Sequence, residues 1–179
     1  MSKIVNYELI TSTSNIQADM YGSRAKCLQR LIRLGLPVPQ SVALSVPFVN
    51  SIALGKSIDL KKLVTCFPAS PIISVRSSPV SAEWGGPSTI LNIGMNSEIE
   101  KVYSNTLGSS AARELHIKFI KSFAIEVMRL DDEIFDHINI TPEVAIDAYE
   151  QEIAECFPRT IEAQLSEVLK SMSRAWQGT

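Results

Sequence analysis

The chain has 179 residues, 45% hydrophobic and 20% charged, with 19 Asp+Glu against 17 Lys+Arg. That length and near-average composition point to one domain and exclude collagen-like, low-complexity and strongly disordered classes. A formal charge of -2 offers no basic field for bulk nucleic-acid binding.

MSKIVNYELITSTSN, the opening segment, lacks the apolar stretch of a secretory signal, and no window reaches ~18 uninterrupted apolar residues. The expectation is a cytoplasmic protein with neither a membrane nor a nucleic acid as partner. A first helix is predicted over residues 23–34, with Ala25, Leu28, Leu31 and Ile32 on one face. Gly35 suits its C-terminal stop, and Pro37 and Pro39 bar continuation. SVALSV reads as a short strand, after which Ser45 is placed to cap a helix running to Gly55, and DLKKLVTCF as a helix starting at Asp59. Cys27, Cys66 and Cys156, odd in number and scattered among apolar residues, read as reduced core thiols.

The middle of the chain changes character. PIISVRS is a β-branched run with Arg76 near its end, SPVSAEWGGPS is an eleven-residue loop, and TILNIGM resumes as a strand. Its alternation sets Thr89, Leu91 and Ile93 against Ile90 and Asn92. From Asn96 onward helices follow. Ser97 and Glu100 form a capping box, and residues 112–138 read as one long amphipathic stretch. Thr141-Pro142-Glu143 opens the next helix and Thr160 caps the last. The fold class expected is α+β, helix-rich with a small sheet.

Phosphate chemistry has the best local claim. It needs cations and main-chain amides that approach closely, and glycine removes the Cβ that would obstruct them. Arg76 at a strand end can fork two bonds to phosphoryl oxygens. Arg24, in the first turn of its helix, lies where a helix N-terminus welcomes anions. Gly85, Gly86 and Thr89 complete the set. Other constellations fail: His116 and His137 have no ligand partners at metal spacing and read as surface or capping residues. Asp131, Asp132, Glu133 and Asp136 read as a solvated helix face, and Trp84 as a loop anchor. No nucleophile elbow, Walker loop or Rossmann fingerprint occurs.

Three segments resemble one family. Gly22-Ser23-Arg24-Ala25-Lys26-Cys27-Leu28 followed by LGLPVPQSVALS is similar to G-x-K-G/A-x-x-L…LGLPVPPGF…ST. ISVRSS…TILNIGMN is similar to VSVRSG…TVLNLGLN with the Arg-to-Thr spacing kept. CFPRTIEAQLSEVLKSMSRAW is similar to FP…QL…AI…SW. In that order these segments resemble the N-terminal part of the pyruvate, phosphate dikinases, whose PEP/pyruvate-binding domain is the nucleotide-binding lobe of an ATP-grasp domain.

The resemblance implies that residues 1–179 are a single partial domain, the N-terminal lobe of that ATP-grasp fold. It implies ATP as the nucleotide, with Arg24, Arg76, Gly85, Gly86 and Thr89 meeting its phosphates and Arg76 as the catalytic residue. Mg2+ ligands belong to the second lobe, and the carrier-His domain and the pyruvate barrel would be the other partners. The intact enzyme of this type is a kinase that converts ATP, pyruvate and phosphate to AMP, phosphoenolpyruvate and diphosphate; the lobe alone is expected to be inactive. Arg24 stands where the family has Lys, and the loop reads Ala82-Glu83-Trp84-Gly85-Gly86-Pro87-Ser88 rather than Ser-Met-Pro-Gly-Met-Met-Asp. A different reading makes the chain a stand-alone, non-catalytic binding or docking module derived from such a lobe.

Overall fold

Two antiparallel strand pairs and seven α-helices make up the described residues, 6–68, 72–81, 86–136 and 140–177, of the computed structural model. The α+β class is as expected, with two separate two-stranded sheets where one small sheet was anticipated. The chain divides into two compact units interleaved in sequence: Met1–Phe67 with Ser77–Pro87 and Met172–Thr179, and Pro68–Arg76 with Ser88–Ser171. Among the described residues no helix is long and apolar enough to cross a membrane.

In the first unit β1 (Tyr7–Leu9) pairs with β2 (Val42–Leu44), Tyr7 opposite Leu44 and Leu9 opposite Val42. Helix α1 (Ala18–Arg33) starts earlier than expected, but its first turn is broken off at Gly22, where φ is 81° and ψ 164°, and the regular helix runs from Ser23. It ends as predicted. Gly35, at φ 72°, donates to Ile32 O, and Leu36 donates to Leu31 O, the paired bonds that close a helix through a left-handed glycine. Ile10, Ile16, Tyr21, Ala25 and Ala43 form the core beneath it, with Leu28 and Ile32 packed alongside. Gln29, fully buried, donates its amide to Thr11 O and Ser14 O, and Lys26 Nζ donates to Ile16 O at 2.7 Å, pinning the preceding loop.

Helix α2 (Val46–Ala53) begins after Ser45 as expected, yet the Ser45 hydroxyl caps nothing. Its backbone leaves β2 extended, its amide donates to Asn6 O, and the side chain is buried without a hydrogen-bond partner. Helix α3 (Leu60–Val64) is capped by Asp59, which accepts from Lys62 N. The cysteines are not core thiols: all three are free, Cys27 and Cys156 are exposed and Cys66 is half-buried. Cys27 lies about 200° round α1 from buried Ala25, so apolar sequence neighbours do not make an apolar surrounding.

In the second unit β3 (Ile73–Val75) pairs with β4 (Ile90–Ile93), Ile73 opposite Ile93 and Val75 opposite Ile90. Leu91 and Asn92 together oppose Ser74, and Asn92 takes a left-handed φ of 60°. This bulge overturns the expected alternation, because one extra residue returns both Ile90 and Ile93 to the core and leaves Leu91 outside. Helix α4 (Ser97–Leu107) also differs from expectation at its start. Asn96, not Ser97, is the cap, its side chain accepting from Glu98 N and Ile99 N at 3.0 Å. Glu100 is drawn away from the capping box to His116 Nδ1, 2.6 Å distant, and His116 is buried rather than a surface or capping residue. His137 lies outside the described residues.

Nor do residues 112–138 form one helix. Helix α5 (Ser109–Ser122) passes into a π-helical turn over Phe123–Val127, then Arg129 takes a left-handed φ of 63° and a 3-10 turn, Asp132–Phe135, follows. Phe135, on that separate 3-10 turn, is buried. Helix α6 (Pro142–Ile153) starts on the Thr141 cap as predicted, and Thr160 Oγ1 accepts from Ala163 N at the head of α7 (Ile161–Gln177).

Phe119, Phe123, Tyr149 and Phe157 stack edge-on or tilted, with centroids 5.1–6.2 Å apart, as the centre of this core. Burial, with Glu155, Glu167 and Glu150 nearby, pushes the Tyr149 hydroxyl up to about 12, so it stays neutral.

Gln164, fully buried on α7, joins three main-chain groups. Its Oε1 accepts from Gly94 N at 2.7 Å, and its Nε2 donates to Met95 O and Pro158 O. Gln164→Ala strands all three in a buried place and is expected to cost ~3 kcal/mol, read as a lower urea midpoint at unchanged slope. A loss below ~1 kcal/mol would show that these groups find other partners.

Candidate functional site

The β3–β4 register decides what the loop's mouth looks like. Val75 and Ile90 are paired, so Arg76 and Thr89 are the next residues outward on the two chains, one leaving β3 and one entering β4. The structure thus brings these two predicted site residues together in the second unit. Arg76 is exposed and, among the described residues, makes no hydrogen bond or ion pair; Thr89 is half-buried. An unengaged guanidinium beside a hydroxyl can offer several donors to an oxyanion.

Arg24 and Gly86 belong to the first unit instead. Gly86 has a φ of 62°, and Gly85 and Trp84 lie outside the described residues. Arg24 is exposed at the head of the regular part of α1, but its Nη1 donates to Ser77 O at 3.0 Å. The amides beside it are also taken. Ser23 N and Oγ both donate to Pro79 O, at 2.9 and 2.7 Å, and Ala25 N donates to Ser78 Oγ at 3.1 Å. The helix N-terminus expected to welcome an anion is therefore occupied by the chain's own carbonyls and hydroxyl.

Gly22 makes this approach possible. A Cβ built there would stand 1.5 Å from Ser78 O. Ser77, Ser78 and Pro79 are the residues the sequence reading missed. Nothing in Ser-Ser-Pro signals that it docks on a helix more than 50 positions earlier.

The charge balance of -2 describes neither unit. Sequence counts give nine Lys+Arg against four Asp+Glu in the first unit and eight against fifteen in the second. Asp131, Asp132, Glu133 and Asp136 are all exposed, as expected of a solvated face, and Asp131 caps the 3-10 turn through Glu133 N. Among the described residues no group of three or more His, Cys, Asp or Glu could hold a metal ion. These residues fit a phosphate but not the oxygen cage that Mg2+ requires, so no step is assigned to the metal. No family model and no curated protein matches the chain.

Proposed function

We propose that the chain is the ATP-binding lobe of a pyruvate, phosphate dikinase-like phosphotransferase, cytoplasmic, and completed by a second ATP-grasp lobe and a carrier-His domain. The observation that carries this reading is the pair Arg76 and Thr89, which flank the paired Val75 and Ile90 and come from the ISVRSS…TILNIGMN segment, with Arg76 unengaged among the described residues. Arg76 neutralises phosphoryl charge as it develops, and Thr89 donates its hydroxyl. Arg24 adds positive charge to a unit already rich in it. Work of this kind is positioning and electrostatics, which phosphoryl transfer chiefly requires. ATP enters as substrate, and Mg2+ ligands are supplied by the second lobe.

A lobe that holds the phosphates without an adenine pocket binds weakly. Exposed charge contacts contribute ~0–1 kcal/mol each, so Arg76, a hydroxyl and a few amides reach no more than ~4 kcal/mol, a millimolar dissociation constant. Isothermal titration of the 179-residue chain with Mg-ATP is expected to give that value, with no turnover. A constant in the low micromolar range would mean the site is complete without a second lobe. No binding of either ATP or tripolyphosphate would remove the nucleotide reading.

A further inference from the structure

We propose that Arg24 is a positioning residue which, with Gly22, Ser23 and Ala25, latches the base of the loop between Arg76 and Thr89 rather than gripping phosphate itself. Its relevance to nucleotide binding rests on the function proposed above; the latch itself rests on contacts within one unit. Four hydrogen bonds cross from residues 23–25 to residues 77–79, between 2.7 and 3.1 Å. Every residue of both segments takes part: Ser23 holds Pro79, Arg24 holds Ser77, and Ala25 holds Ser78. Ser77 and Pro79 are buried, so these acceptors have exchanged water for the helix end.

The choice of acceptors matters. An anion-binding helix N-terminus presents free amides, whereas here the amides of Ser23 and Ala25 already have an oxygen each. Arg24 Nη1 adds a charge-assisted bond to Ser77 O, stronger than a neutral one. Arg76, next in the chain to Ser77, has no such engagement among the described residues. The two arginines that look equivalent in sequence thus do different work. One secures the start of the loop and the other meets the ligand. Securing residues 77–79 holds the chain that follows Arg76 in place before a phosphate arrives, which is how preorganisation raises affinity.

Two measurements on the 179-residue chain test this: amide hydrogen exchange of residues 77–81 without ligand, and titration with tripolyphosphate. Arg24→Ala and Ser23→Ala are both expected to speed exchange of residues 77–81 about tenfold and to raise the tripolyphosphate dissociation constant by a similar factor. Ser23 carries no charge, so its effect on affinity has to pass through the loop. Arg24→Lys retains one donor for Ser77 O and recovers part of the protection, while Arg76→Ala weakens binding with exchange unchanged. If Arg24→Ala weakens tripolyphosphate binding while exchange of residues 77–81 stays at the wild-type rate, Arg24 is a ligand and the latch is wrong, with the nucleotide reading intact. If the wild-type chain does not bind tripolyphosphate yet exchange responds as described, the latch stands and the nucleotide reading falls.

Discussion

Arg76→Ala is expected to lower nucleotide-dependent phosphorylation at least ~10³-fold in a protein that carries this chain with its second lobe and carrier-His domain, the scale of loss seen when an arginine that stabilises a transferring phosphoryl group is removed. The side chain is exposed and bonds to nothing else among the described residues, so its loss leaves the fold untouched. Far-UV circular dichroism and the urea midpoint should match the wild type within error. The measurement is single-turnover transfer from labelled ATP to the carrier histidine. Undiminished transfer would remove Arg76 from the site, and a collapsed midpoint would make its role structural.

Gly22→Ala should be the most damaging single-methyl change in the first unit. Its backbone sits at φ 81° and ψ 164°, a region closed to side chains at a cost of ~1–3 kcal/mol. The added Cβ would also stand 1.5 Å from the Ser78 carbonyl oxygen, which is backbone and cannot swing aside. Either residues 77–79 lift off, breaking four hydrogen bonds, or α1 loses its entry turn. The expected loss is above ~3 kcal/mol. Gly35→Ala is the control: φ is 72° there too, but nothing lies within 4 Å of the added methyl, so only the conformational strain remains, ~1 kcal/mol. Equal losses at the two positions would show that contact with Ser78 is not what makes Gly22 special.

What the sequence discloses about this fold is what is decided locally. The Thr141 cap with Pro142 behind it and the Gly35 stop each depend on residues a few positions apart, and each is where pattern reading puts it, as are the two strands β3 and β4. Readings failed where a distant partner decides. Ser97 and Asn96 are both good cap residues; Asn96 is the cap, and the Glu100 that a Ser97 capping box would use is paired with His116, sixteen positions on. The bulge at Asn92 is invisible in TILNIGM because only its pairing with Ile73 and Val75 shows that two residues face one. β1 is three residues long and stabilised by a strand some 35 positions later, so YEL alone carries no strand signal. The same holds at the site. Arg24 was legible as a cation near a glycine, but its partner Ser77 is 53 residues away, and no spacing rule connects them.

The reach of Gln164 has a bearing on the order in which the molecule is assembled during synthesis. Its two bonds to Gly94 and Met95 span 70 and 69 residues, and its neighbours Leu165, Val168 and Leu169 are core. Gly94 and Met95 leave the ribosome long before the helix that carries Gln164. Until residues 164–169 have been made, the second unit lacks the buried Leu165, Val168 and Leu169 and the partners of Gly94 N and Met95 O. Such long-range closure is slow, and the nascent intermediate exposes apolar surface for the whole interval. The second unit therefore closes late in synthesis, once the helix that carries Gln164 has been made.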